Sequence, residues 1–134
     1  MKIHLYIIFL FLLNPFQSSK PQIVGEWVYG GVANKKTQAD YVVECPDFIE
    51  FRSNGTYTVL NDCYGDAVKP IVETGKWSVN APSQKLILSE RRFTTNYHLY
   101  SPKKTVEIAI VSLDGKKLIV RYAQEKAEVY SKEK

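Results

Sequence analysis

The fold is decided by residues 45–63, which read CPDFIEFRSNGTYTVLNDC. Polar and apolar residues alternate on both sides of the loop 53–55, as expected of two antiparallel strands joined by a tight turn. A three-residue loop that ends in glycine suits a turn whose last residue is left-handed, because glycine tolerates a positive φ. This turn predicts a strand register in which Phe51 faces Tyr57.

Residues 1–19 have the pattern of a secretory signal peptide. A single positive charge, Lys2, precedes the apolar run 3–13, and Pro15 ends that run. The run is too short to cross the roughly 30 Å hydrocarbon core of a bilayer as a helix, but it suits a signal peptide. We therefore expect residues 20–134 to form one exported domain, secreted or periplasmic; a buried N-terminal helix is the alternative. No cysteine lies directly after the apolar run, where a bacterial lipid anchor would be attached. We therefore expect no stable membrane anchor.

The two cysteines of the chain fall at facing positions of the predicted hairpin. The register that pairs Phe51 with Tyr57 sets Cys45 directly opposite Cys63, at a non-hydrogen-bonded pair where side chains approach most closely. That geometry permits a disulfide, and two cysteines in an exported chain favour one. We expect a Cys45–Cys63 disulfide that stabilises the fold by about 3 kcal/mol; two buried thiols are the alternative.

Period-two alternation recurs along the chain after residue 19 and predicts an all-β fold. A second turn of the same kind, at 113–115, predicts that Ile110 pairs with Leu118. Because each strand carries one apolar face, an open meander leaves unpaired edges that closure into a barrel removes. We therefore predict an antiparallel up-and-down barrel of eight or nine strands and prefer it to a sandwich. The predicted strands lie near 23–30, 40–52, 56–62, 72–79, 85–90, 93–100, 104–112, 117–123 and 126–131.

Four short motifs follow one another along the chain: Gly25-Glu26-Trp27, Phe51 with Asn54-Gly55-Thr56-Tyr57, Gly75-Lys76-Trp77 and Val129-Tyr130-Ser131. Their order resembles that of the lipocalins, and especially of the short lipocalin-like domains of exported bacterial proteins. The resemblance implies that Gly25 and Trp27 close one end of a barrel, because glycine lets the chain pass closely while the indole fills the opening. It also implies an arginine packed over that indole, for which Arg121 is the candidate, although the predicted register directs it outward.

Few residues suit catalysis or metal binding. His98 is the only histidine after residue 19, and without a nucleophile motif or clustered ligands it indicates neither a catalytic triad nor a metal site. We expect His98 to face solvent. The formal charge of +4 is spread along the chain, which does not indicate a nucleic-acid partner. We therefore expect a protein without enzymatic activity, cofactor, metal or nucleic-acid partner.

The resemblance implies a non-enzymatic binding protein that takes a small hydrophobic ligand inside the barrel. An eight-stranded barrel is just wide enough to be filled by side chains or to hold one small ligand, so a filled core remains the alternative. The domain is then an exported protein-interaction module, of inhibitor or immunity type, that acts through its loops 30–40 and 61–72. The predicted ligand-lining residues are Ile49, Phe51, Tyr57, Val59, Trp77, Leu88, Tyr97 and Ile108.

Overall fold

A computed structural model describes residues 22–33, 45–61, 70–82 and 84–133 of the chain. Within these ranges no helix has the length and apolarity needed to cross a membrane. The chain forms β1 (Gly25–Val32), β2 (Asp47–Phe51), β3 (Thr56–Asn61), β4 (Ile71–Asn80), β5 (Lys85–Phe93), β6 (Val106–Leu113), β7 (Lys117–Tyr122) and β8 (Glu128–Lys132).

The eight strands form one closed antiparallel barrel in sequence order. Each strand pairs with the next, and β8 returns to pair with β1, where Tyr29 faces Tyr130. Closure leaves neither β1 nor β8 with a free edge, which removes the template for unwanted strand pairing. The prediction of an all-β up-and-down barrel is confirmed, with eight strands.

The β2–β3 hairpin has the predicted register. Phe51 faces Tyr57, and Asp47 faces Asn61 at the far end of the pair. Gly55 has a φ of 85°, so the turn uses the left-handed conformation expected of its glycine. Continuing this ladder leads to Cys63, which lies outside the described residues, so the disulfide with Cys45 stays a prediction, as does the signal peptide over 1–19.

The predicted register of the β6–β7 hairpin is wrong by two residues. Ile110 pairs with Val120 instead of Leu118, after a register shift between Ile110 and Ser112. The turn is longer than predicted because the Asp114 side chain organises it: its Oδ1 accepts hydrogen bonds from the backbone amides of Lys116 and Lys117, both at 2.7 Å. A shift of two residues keeps the same side chains inside the barrel, so the predicted faces survive.

The predicted strand at 93–100 is absent, since β5 runs on to Phe93 and residues 94–105 form bends without strand pairing. Three carbonyls of this segment, at Leu99, Ser101 and Lys103, accept hydrogen bonds from the Arg91 guanidinium. A side chain thus satisfies backbone groups that a neighbouring strand would otherwise pair. The segment, here called the mouth loop (94–105), folds over one end of the barrel.

The opposite end of the barrel is closed by Trp27, which is fully buried. Its indole Nε1 donates a hydrogen bond of 2.8 Å to the carbonyl of Ile23. Ile23 was predicted to lie in the first strand, but it is helical, and β1 begins at Gly25. The cation over the indole is Lys132, with Nζ 5.4 Å from the ring. Arg121, the residue suggested by the resemblance, is exposed on the outer face opposite Ala109.

Candidate functional site

Seven of the eight predicted ligand-lining residues are buried in the barrel core. Their side chains pack against one another: the Phe51 ring lies 5.5 Å from Trp77 and 6.4 Å from Tyr57, centroid to centroid. Such packing fills the closed half of the barrel with side chains. The eighth residue, Tyr97, is 41% exposed and lies in the mouth loop instead of on a strand. The seven buried residues are Ile49, Phe51, Tyr57, Val59, Trp77, Leu88 and Ile108.

A cavity of about 290 Å³ opens at the other end, where the chain enters β2 and β8. We call it the mouth pocket. Its volume is at the lower end of the range of about 300–1,000 Å³ found for small-molecule sites. Strand ends, the mouth loop and the β7–β8 turn all contribute to it, so residues far apart in the chain meet there. The lining residues are Val32, Asp47, Tyr97, Leu99, Tyr100, Glu125, Lys126, Glu128 and Tyr130.

One wall of the mouth pocket carries Asp47, the first residue of β2. The Tyr97 hydroxyl donates a short hydrogen bond to its Oδ2, and Asn61 Nδ2 donates one of 2.9 Å to its Oδ1. Burial raises the pKa of the Asp47 carboxyl, and the two hydrogen bonds oppose that shift only in part. Partial desolvation of the Tyr97 hydroxyl, together with the adjacent Asp47 carboxylate, raises the pKa of Tyr97.

The facing wall carries Glu128, the first residue of β8. Burial raises the pKa of its carboxyl, and the hydroxyls of Tyr29 and Tyr100 interact with it and oppose that rise. Tyr100 and Tyr130 place their hydroxyl oxygens 3.4 Å apart, and burial raises the pKa of both phenols. Tyr29 also packs edge-on against Tyr130, with the ring centroids 5.5 Å apart, and this contact holds the Tyr130 ring in place.

A buried ion pair below the pocket fixes the mouth loop. The side chains of Glu73 and Arg91 are both 0% exposed, and two nitrogens of the guanidinium donate to the two carboxylate oxygens at 3.1 and 3.0 Å. The guanidinium also holds three mouth-loop carbonyls, and the Leu99 amide donates to Glu73 Oε1 at 2.9 Å. Tyr57 adds a 2.5 Å hydrogen bond to Glu73 Oε2, so the carboxylate is fully engaged.

Sequence reasoning missed this pair for a definite reason. Glu73 is in phase with Trp77 on the inward face of β4, so a charged residue at an apolar position was a readable signal. Arg91 was not readable, because an irregularity at Glu90, whose φ is 48°, advances the inward phase of β5 by one residue. Strict alternation from Leu88 places Glu90 inside and Arg91 outside.

His98 is half-buried, so the expectation that it faces solvent is wrong. Its ring packs edge-on against Phe93 at 5.6 Å, and Nδ1 has no hydrogen-bond partner among the described residues. It does not line the mouth pocket. In the described part of the chain, no three His, Cys, Asp or Glu side chains gather as a metal-binding group.

A wider depression of about 410 Å³ lies on the outer surface of β3, β4 and β5. Two of its cations are in exposed ion pairs: Lys76 pairs with Glu90 at 2.8 Å, and Arg52 pairs with the nearby Glu50 at 3.3 Å. This surface is a weaker candidate than the mouth pocket, whose carboxyls are partly desolvated.

Comparisons with known proteins bear on the fold. No family model matches the chain, and no curated protein matches it. Among solved structures, a lipocalin-like protein from Bacteroides uniformis superposes with a TM-score of 0.61 at 13% sequence identity, covering 84% of this chain and 99% of that one. The chain therefore has the fold of a lipocalin-like domain, as the order of its motifs suggested.

Proposed function

We propose that this protein is a non-enzymatic binding protein that takes a small ligand with an apolar body at the mouth pocket. The observation that carries the proposal is the division of the barrel interior. Side chains occupy the half next to Trp27, whereas a cavity of about 290 Å³ remains at the other end. The ligand-binding role that the resemblance implies is thereby assigned to the mouth and not to the deep interior.

The lining of the mouth pocket supports an amphipathic ligand. Val32 is 40% exposed, and together with Leu99 and the tyrosine rings it offers apolar surface to a ligand body. The carboxyls and phenol hydroxyls provide a few polar groups that converge on the same space, which is the usual composition of a small-molecule site. The buried ion pair of Glu73 and Arg91 keeps the mouth loop in place, so the site is formed before a ligand arrives.

A matched pair of substitutions tests the proposal. Val32→Trp fills the mouth pocket, whereas Val111→Trp adds the same indole at an outer position that is 52% exposed. With the neutral fluorescent probe Nile red, we expect saturable binding to the wild type and to Val111→Trp, and its loss in Val32→Trp. Binding that is equal in all three proteins, or absent from the wild type, contradicts the proposal.

The filled core also favours the second candidate, an exported interaction module that acts through its loops. Trp27, Phe51 and Trp77 leave little free volume in the closed half, since each is at most 3% exposed. If Nile red and a panel of apolar small molecules fail to bind the wild type, this candidate replaces the first.

Export remains part of the proposal and has its own test. We infer that residues 1–19 direct the chain out of the cytoplasm and are then removed. Expression of the full chain followed by mass measurement of the exported protein should give a product shortened near residue 19. A full-length product retained in the cytoplasm contradicts this inference.

A further inference from the structure

We propose that the mouth pocket selects ligands that carry a protonated amine, with the ammonium group held between Asp47 and Glu128 and the ligand body against the tyrosine rings. This inference rests on the proposed function, because it specifies the ligand class of the same pocket. It starts from the placement of the two acidic residues. Asp47 opens β2 and Glu128 opens β8, and both strands pair with β1, so the carboxyls flank the end of β1 from its two sides.

The charges around the pocket are one-sided. Among the described residues that line the pocket, Glu125 is a third acidic group and Lys126 is the only basic one. Neither Asp47 nor Glu128 forms an ion pair within the described ranges, where Arg91 is already committed to Glu73. Two partly desolvated carboxyls that have no ion pair in the described part of the chain are costly for the protein, and a ligand cation offsets that cost.

The aromatic groups suit the same kind of ligand. Tyrosine rings present a negative face that attracts ammonium groups, and phenol oxygens accept hydrogen bonds from N–H donors. Tyr100 stacks on Tyr122 with centroids 4.9 Å apart and planes at 28°, which holds its ring in a fixed orientation at the edge of the pocket. Carboxylates and tyrosines together thus provide both charge-assisted hydrogen bonds and ring faces for an amine.

Other ligand classes fit the pocket less well. An anion meets Asp47, Glu125 and Glu128 and is repelled. A neutral apolar molecule contacts the tyrosine rings but does not replace the lost hydration of the two carboxyls, so it binds, but more weakly than an amine of the same shape. Burial raises the pKa of both carboxyls, and each is raised further by repulsion from other acidic groups, whereas a bound ammonium favours their ionised forms.

The experiment measures how three probes bind the purified protein; they share a phenethyl group and differ in charge. These are phenethylammonium, phenethyl alcohol and hydrocinnamate, with binding measured by calorimetry. We expect phenethylammonium to bind wild type about tenfold or more tightly than the alcohol, and hydrocinnamate to bind more weakly still. This comparison needs no variant, so it remains decisive whatever a substitution does to folding.

Two variants then locate the selectivity. Asp47→Asn and Glu128→Gln remove charge while keeping shape, and each should weaken phenethylammonium binding about tenfold and leave phenethyl alcohol unchanged. Glu107→Gln is the matched control, because Glu107 is an exposed residue on the outer face of β6. If both variants weaken all probes equally, the carboxyls support the fold and the amine inference is overturned.

The failure of this inference can be told apart from failure of the proposed function. Equal binding of the alcohol and the ammonium, abolished in both cases by Val32→Trp, overturns amine selection but keeps the mouth pocket as a binding site. Binding of neither probe, combined with no binding of Nile red, overturns both.

Discussion

The two ends of this barrel are built from the same eight strands but differ in what they bury. At the closed end, Trp27, Phe51 and Trp77 pack as a largely apolar core, and even the polar atoms of the indoles are satisfied by backbone carbonyls. At the open end the interior holds the ion pair of Glu73 and Arg91 and a pocket with two carboxyls. The closed end stabilises the fold through apolar burial. The open end buries less apolar surface and holds a polar site instead.

Local irregularities produce this difference. A register shift in β1 between Tyr29 and Val32 places Val32 opposite Glu128, and a shift between β4 and β5 turns Arg91 inward. Bulges of this kind redirect side chains near functional sites without breaking the sheet. The same strand alternation therefore gives an apolar core at one end and polar groups at the other.

The largest effect on stability is expected from Arg91→Met. This substitution removes the guanidinium that pairs with Glu73 and binds three carbonyls of the mouth loop. Glu73 is then buried without its counter-charge, so we expect a loss of about 3–5 kcal/mol in the free energy of unfolding near neutral pH. Urea titration measures it. A loss below about 1 kcal/mol, the size expected for an exposed ion pair, contradicts the interpretation.

A comparable loss is expected from Trp27→Ala at the closed end. Removing a fully buried indole costs about 3–5 kcal/mol in the free energy of unfolding. Val111→Ala, at an exposed outer position, serves as the control and should change stability by less than about 0.5 kcal/mol. If Trp27→Ala is as mild as this control, the indole does not close the barrel.

Cys45→Ser tests whether the open end is also tied covalently. If Cys45 is bonded to Cys63, we expect a loss of about 3 kcal/mol and a change in mobility between reducing and non-reducing gels. Wild type treated with a reductant should reproduce the loss. Unchanged stability together with unchanged mobility means that no disulfide forms.

The smallest effect, with the opposite sign, is expected from Glu128→Gln. Burial raises the pKa of Glu128 above its unfolded value, so its stabilising contribution is present below the unfolded pKa and is lost as pH rises through the folded pKa. The variant should therefore be slightly more stable than wild type near neutral pH, and its stability should change less as pH rises from about 4.5, the ordinary pKa of the carboxyl, to neutral. The titratable groups that act on Glu128 are the same in the variant and in wild type: Asp47, Glu125, Tyr29 and Tyr100.

Equilibrium unfolding at the two pH values measures this effect, with Glu107→Gln as the exposed control. A variant that loses stability near neutral pH refutes the claim that the ionised carboxyl is a cost.

Much of the fold could be predicted because it depends on local patterns. The loop 53–55 predicted the β2–β3 register, and alternating polarity predicted which residues of each strand face inward. The order of Gly25, Trp27 and the later motifs predicted a lipocalin-like barrel. The β6–β7 register was missed because a side chain, Asp114, lengthened a turn whose backbone pattern resembled the shorter one.

The candidate site could not be predicted in the same way. The acidic residues at 47 and 128 and the tyrosines at 100 and 130 are scattered over most of the chain, and their polarity alone marks them as ordinary surface residues. Tyr97 was predicted to line a ligand site, but on a strand in place of which the structure has the mouth loop. They meet only when β8 closes on β1 and when Arg91 draws the mouth loop over the barrel end.

The sequence by itself determined the β class, the register of the β2–β3 hairpin and most of the inward faces. These follow from the two-residue period of a strand and from glycine at a turn. Tertiary structure alone decided the strand count, the buried pair of Glu73 and Arg91, and the polar mouth. These depend on bulges and on contacts between distant segments, which shift the strand period locally and leave no periodic signal in the sequence.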